Sequence, residues 1–215
     1  MTPLILALDT TGARGSLALV RGAEVIDETL LESADGFAHL VHREIAAMLA
    51  RQGMTLRDID GFASASGPGS FTGVRVGLTA MKGLAEALGR PMFGVSNLRA
   101  LAWFGESALR GALIDARRGE VYGAVYDASG AAVAEETVGP LDRFLRSLRA
   151  GDVQILVDPG FALELDRPVC TVSEGLARAI GAIAGERLRA GESPDPAGVD
   201  ANYVRRADAE LFWKE

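Results

Sequence analysis

Two short stretches bring a carboxylate into a tight turn beside hydroxyl or guanidinium groups. Asp9-Thr10-Thr11-Gly12 closes the apolar run 4–8, and Asp115-Ala116-Arg117-Arg118-Gly119 stands in the same place in the second half of the chain. A carboxylate there can position a metal ion or a water near a phosphate, while turn hydroxyls and N–H groups contact phosphate oxygens. Asp9, Thr10, Gly12 and Asp115 are therefore candidate phosphate-contacting residues. The competing reading of each stretch is a plain hairpin, because Asp and Gly favour turns for local reasons. Their matched placement strengthens the functional reading, as phosphate loops that are vestigial here.

A third stretch, residues 65–89, joins a glycine turn to a long helix. In Gly67-Pro68-Gly69, proline fixes φ and the glycines permit left-handed or close-approach backbone. Ser70 or Thr72 is placed to cap the helix that follows, and such a terminus can hold an anion on its N–H groups. The spacing fits neither a dinucleotide fingerprint nor a Walker loop. On a helical wheel Val74, Leu78, Met81, Ala85 and Leu88 form one stripe. Gly73, Gly77, Ala80 and Leu84 form a second, rotated by about 100°. Glycine inside a helix costs about 1 kcal/mol against alanine. The second stripe therefore calls for close packing, either between two layers of one domain or against another molecule. Arg75, Thr79, Lys82 and Glu86 make the polar face.

Other chemistry has less support. His39 and His42 lie three apart, and solvated or interface roles suit them better than a metal site. Ser70 lacks the nucleophile-elbow pattern. The single cysteine, Cys170, excludes an internal disulfide framework and a cysteine-rich zinc site.

These residues need a scaffold, and the 215-residue length allows one large domain or two small ones. Strand-like runs at 4–8, 15–20 and 24–30 are followed by a helix over 36–52, a strand at 59–66, the glycine-loop helix and a strand at 92–95. Ser96 is placed to cap a short helix toward Trp103. The pattern then restarts with strands at 112–116, 121–126 and 131–138, a helix near 141–149, a strand at 154–157 and a helix at 176–189. Two such units predict a duplicated α/β architecture. The expected lobes are residues 1–104 and 105–198, with 199–215 packing back on the first.

No apolar run approaches a membrane span and the N-terminus lacks a signal-peptide pattern, so a soluble cytoplasmic protein is expected. With a formal net charge of −7 the chain is a poor autonomous nucleic-acid binder, and any RNA would be held mostly by another subunit.

Four segments carry a family resemblance over essentially the whole chain. They are Ile5-Leu6-Ala7-Leu8-Asp9-Thr10-Thr11, the stretch from Gly67 through Gly77, Gly94-Val95-Ser96-Asn97-Leu98, and Asp115 through Tyr122. Together they resemble the bacterial TsaB (YeaZ) family. The resemblance implies the actin-like ATPase (ASKHA) fold, with two RNase-H-like lobes, each a mixed sheet flanked by helices. It also implies a non-catalytic scaffold role in making threonylcarbamoyladenosine beside the anticodon of tRNA. The implied partners are a catalytic TsaD-type paralogue, docked through the first lobe, and a TsaE-type ATPase. Contact with tRNA would be indirect, and a homodimer could use the same face.

The paralogue carries metal-binding histidines after the glycine-loop helix and the next strand, and Asn97 and Leu101 stand at those places here. A leucine cannot ligate a metal, and an amide replaces imidazole poorly. Many members have Pro-x-Tyr-x-Arg near the C-terminus; this chain keeps Tyr203 and Arg205 without the proline. The expected docking residues are Ile45, Met48, Gly73, Val74, Arg75, Gly77, Ala80, Met81 and Leu84. No intrinsic cofactor is expected, with ATP or ADP placed, if anywhere, at the junction with the partner. The alternative is an active ATPase or small-molecule kinase using Asp9 and Asp115 around a Mg-bound phosphate. A metallopeptidase, a third class, lacks its ligands.

Overall fold

The run Leu4–Asp9 (β1) is buried at every position, as a central strand covered on both faces must be. The computed structural model describes residues 2–148, 153–161, 165, 169–172 and 175–204. β1 pairs antiparallel with Gly15–Arg21 (β2), which pairs antiparallel with Glu24–Leu31 (β3). On its other side β1 runs parallel to Gly61–Gly67 (β4), and β4 to Met92–Ser96 (β5), giving the order β3-β2-β1-β4-β5. Helices Val41–Arg51 (α1), Phe71–Leu88 (α2) and Asn97–Ala102 (α3) interleave with these strands.

The second sheet repeats the plan. Leu109–Arg117 (β6), Glu120–Asp127 (β7) and Thr137–Pro140 (β8) form an antiparallel run. Helix Leu141–Ser147 (α4) precedes Val153–Val157 (β9), which lies parallel to β6, and Val169–Thr171 (β10) lies parallel to β9. Taken from its other edge, β8-β7-β6-β9-β10, the order matches that of the first sheet strand for strand. The core of this second unit gathers Leu113, Val121, Phe144, Ile155 and Val157.

The period-2 alternation of β1 divides the first unit into layers. Leu4, Leu6 and Leu8 join Leu17 and Leu19 in a cluster with Ile45 and Met48 of α1 and Val74, Leu78 and Met81 of α2. Ile5 and Ala7 face the opposite way, toward Leu176–Arg189 (α5). α5 is rich in Ala and Gly, and its residues Ala177 and Ala179–Gly185 are buried. A Cβ at Gly181 would stand 2.7 Å from Val20 Cγ2, so the small residues let this helix lie close on β1 and β2. The Ala177 N–H donates to Ser16 Oγ at 3.0 Å, and Arg178 forms an ion pair with Glu28 of β3.

α5 therefore corrects the expected lobe boundaries. Residues 175–201 belong with the first unit and not with a lobe spanning 105–198. Of the segment 199–215 expected to pack back on the first lobe, only 199–201 do so, 202–204 belong with the second unit, and 205–215 lie outside the described residues. Apolar periodicity announces a helix but carries no record of which sheet receives it. Smaller differences have local causes. α1 begins at Val41 instead of residue 36, because the preceding residues form turns that still bury Phe37 and Leu40. β8 is confined to Thr137–Pro140, with Ala132 held to Tyr126 by an isolated bridge. The C-terminal Arg205 lies outside the described residues.

α1 is latched to the edge strand β3 at its C-terminus. Arg51 donates to Asp27 through Nε and Nη2, both at 3.1 Å, and to Thr29 Oγ1 at 2.9 Å, while Gln52 Nε2 donates to Asp27 at 2.9 Å. The Arg51 hydrogen bond, opposed by burial and reinforced by Gln52, holds the Asp27 carboxyl below its usual 3.8. A folded pKa below the unfolded one stabilises at pH above the unfolded value and is lost as pH falls through the folded value. Wild type should thus exceed Asp27→Asn in stability at neutral pH, with the gap closing below about pH 4 in denaturant titrations. Gly181→Ala should destabilise by about 1–3 kcal/mol despite the better helix propensity of alanine, read from the same titrations.

Candidate functional site

The glycine turn meets the β1 turn at the N-terminus of α2. Gly67 has φ 101°, a conformation that side chains resist, and it turns the chain out of β4. Ser70 caps the helix, its Oγ accepting the Gly73 N–H at 3.3 Å, so Ser70 fills the capping role and not Thr72. α2 then passes so close to β1 that a Cβ at Gly73 would lie 2.0 Å from the Thr10 carbonyl oxygen. At Gly77 it would lie 2.6 Å from Ser64 Oγ and 2.8 Å from Thr10 Oγ1.

A hydrogen-bond chain fastens this approach. Thr10 Oγ1 donates to the Gly73 carbonyl at 2.6 Å, and the Ser70 N–H donates to the Thr11 carbonyl at 2.9 Å. Asp9 is buried, and its Oδ1 accepts both the Thr11 N–H (2.9 Å) and the Thr11 hydroxyl (2.6 Å). The same hydroxyl accepts from Asn97 Nδ2, and Asn97 Oδ1 accepts the Gly67 N–H at 3.0 Å. One buried amide thus ties the start of α3, the glycine turn and the β1 turn together. Its two polar ends are both satisfied, as burial requires.

The candidate phosphate residues consequently separate. Asp9 and Thr10 lie inside this chain of bonds, Gly12 is exposed, and Asp115 sits in its own hairpin. Asp115 Oδ1 accepts the Arg117 N–H at 2.8 Å, and its Oδ2 pairs with Arg117 Nη1 at 3.2 Å. Arg117 and Arg118 carry positive φ of 66° and 56° ahead of Gly119, so the carboxylate secures a turn that its non-glycine residues resist. Among the described residues no group of three or more His, Cys, Asp or Glu is arranged to hold a metal.

The expected docking residues also divide, and the burial corrects most of them. Ile45, Met48, Val74 and Met81 are core residues of the first unit. Gly73 and Gly77 serve the internal contact just described. Small size suits a contact inside a fold as well as one between molecules, which is why the wheel placed these two glycines with Ala80 and Leu84. Arg75 is exposed, Ala80 and Leu84 are half-buried against the core, and all three line a groove of about 640 Å³ between α1 and α2. From α1 and the turn before it come Ala38, Val41 and His42. From α2, Phe71, Val76 and Gly83 complete the apolar lining, and the sequence reading had none of these three. Phe71 is 52% exposed, and Gly83 would have nothing within 4 Å of an added Cβ.

The tie around Asn97 makes a definite prediction. Thr11→Val and Asn97→Leu should each lower stability by about 1–3 kcal/mol, because each leaves buried polar partners unsatisfied. The double variant should lose clearly less than the sum, since both remove one network. Chemical denaturation of the four proteins gives the coupling.

Comparison with known proteins agrees with this architecture. The family model "TsaD: tRNA N6-adenosine threonylcarbamoyltransferase" matches residues 31–182. The tRNA threonylcarbamoyladenosine biosynthesis protein TsaB of Bacillus subtilis (strain 168) is 30% identical over 226 residues, covering 98% of each chain. TsaB of Escherichia coli (strain K12) is 40% identical over 139 residues, covering 62% of this chain and 60% of that protein. A Pseudomonas aeruginosa crystal structure, described as similar to the peptidase YeaZ, superposes with a TM-score of 0.80 at 27% identity, covering 94% of this chain and 100% of that one. The expected actin-like ATPase fold, a pair of mixed sheets flanked by helices, is the fold of this chain. The chain belongs to the TsaB (YeaZ) family of tRNA threonylcarbamoyladenosine biosynthesis proteins.

Proposed function

We propose that this chain is a non-catalytic subunit that supports a TsaD-type transferase in threonylcarbamoylation of tRNA, docking through the α1/α2 groove. One contrast carries the reading. The turn that would serve phosphate chemistry has Asp9, Thr10 and Thr11 engaged with the fold itself, while the apolar face beside it stands open. Asn97 adds support, because its amide is engaged at both ends where the paralogue is expected to hold a metal.

The exposed glycine of α2 points the same way. Gly83 weakens the helix by about 1 kcal/mol and has no neighbour in its own fold to require it. A partner backbone brought close to α2 would give that residue a purpose. In this reading the TsaE-type ATPase joins the pair, tRNA is reached through the assembled complex, and any ATP or ADP binds at the junction with the partner. A homodimer competes for the same groove when the transferase is absent. The site of action is the cytoplasm. An active ATPase has less support, because Asp115 is occupied by its own hairpin.

Depletion of this protein followed by nucleoside analysis of tRNA should show loss of threonylcarbamoyladenosine; normal levels would defeat the reading. Ala80→Asp and Leu84→Asp should each abolish co-purification with the transferase encoded in the same genome. Both residues are half-buried against the core of the first unit, so each variant should lose some thermal stability while circular dichroism shows it still folded. Retained pairing in both would remove the groove from consideration. Gly77 is unsuitable for this test, since any side chain there collides with Ser64 and Thr10.

A further inference from the structure

We propose that Arg75 selects the occupant of the groove, favouring an apolar partner segment that carries a carboxylate over a second copy of this chain. The inference rests on the docking role proposed above and adds the chemistry of what docks.

Arg75 is exposed, and its guanidinium carbon lies 3.9 Å from the centroid of the Phe71 ring. Contact with an aromatic face restrains a guanidinium and leaves it N–H groups free to bond elsewhere. Among the described residues Arg75 has no carboxylate or carbonyl partner. The other charges of these two helices are occupied or stand outside the groove. Lys82 Nζ donates to the Val199 carbonyl at 2.8 Å, Glu44 pairs with Arg43 at 2.8 Å, and Glu86 is not among the lining residues.

The groove thus presents the Arg75 guanidinium with no carboxylate among its lining residues. Covering it removes water from Arg75, and a buried cation without an acceptor is strongly unfavourable. Two copies meeting groove to groove would bury two guanidiniums, and neither groove supplies a carboxylate. A partner carboxylate meets the planar fork with two parallel hydrogen bonds. The charge therefore favours the heterologous pair and opposes the homologous one.

The test uses the full chain and the TsaD-type transferase of the same genome, with calorimetry for the mixed pair and sedimentation for self-association. Arg75→Gln should weaken the mixed pair about ten- to a hundredfold while leaving self-association equal or tighter. Rising salt should weaken the wild-type mixed pair more than the variant pair. Arg75→Lys should fall between, because it keeps the charge and loses the planar fork. Circular dichroism and thermal unfolding of the variants should match wild type. Equal weakening of both associations, unchanged mixed pairing, or loss of binding to a tRNA probe with pairing intact would each overturn the proposal. A wild-type chain that does not pair with the transferase at all would instead refute the docking role itself.

Discussion

The first unit is organised by one close approach, the N-terminal turn of α2 against the backbone of the β1 turn. A methyl group at Gly73 would sit 2.0 Å from the Thr10 carbonyl oxygen, so only glycine allows the helix to start where it does. From that fixed point the rest follows in order. Ser70 caps the helix, Thr10 and Thr11 bond to its first turn and loop, and Val74, Leu78 and Met81 fall onto the leucines of β1. The outer side of α2 then faces away from the sheet, where it forms a groove with α1.

The same constraint sets what the groups of the β1 turn hold in place. Thr10 and Thr11 have hydroxyls and N–H groups of the kind that contact phosphate oxygens, yet here they hold pieces of the chain together. Asn97 completes the arrangement, since an amide both donates and accepts and can join a hydroxyl to a backbone N–H. Together these bonds hold the β1 turn, the glycine turn and the start of α2 in one rigid arrangement. Rigidity at that place fixes the neighbouring groove, because Phe71 and Arg75 stand within the first turns of the helix so anchored.

Much of the fold was legible because its physics is local and periodic. The strand and helix order, the duplication, and the buried stripe from Val74 to Ala85 all follow from apolar spacing that repeats with the backbone. Long-range facts were not legible. Gly73 and Gly77 look the same on a wheel whether a helix approaches its own sheet or another molecule. Ile45 and Met48 share a face of α1, and nothing in that spacing tells an inner face from a docking face. Of the expected docking residues, Arg75, Ala80 and Leu84 reach the groove, while Phe71, Val76 and Gly83 required coordinates. The destination of α5 was hidden for a related reason, because an Ala- and Gly-rich helix fits close against any sheet.

That destination bears on how the protein is made. The first unit is discontinuous, since α5 closes the face of β1, β2 and β4 only after about seventy residues of the second unit have been synthesised. During translation the side of the sheet carrying Ile5, Ala7 and Val20 has no cover, and an open apolar sheet invites association with other chains. Native contacts between α5 and the first strands also span most of the chain, and contacts of that range form slowly. Fragments ending before α5 would keep the groove residues and lose half of the layer behind them. Nascent-chain handling, more than the final stability, is where this topology asks most of the cell.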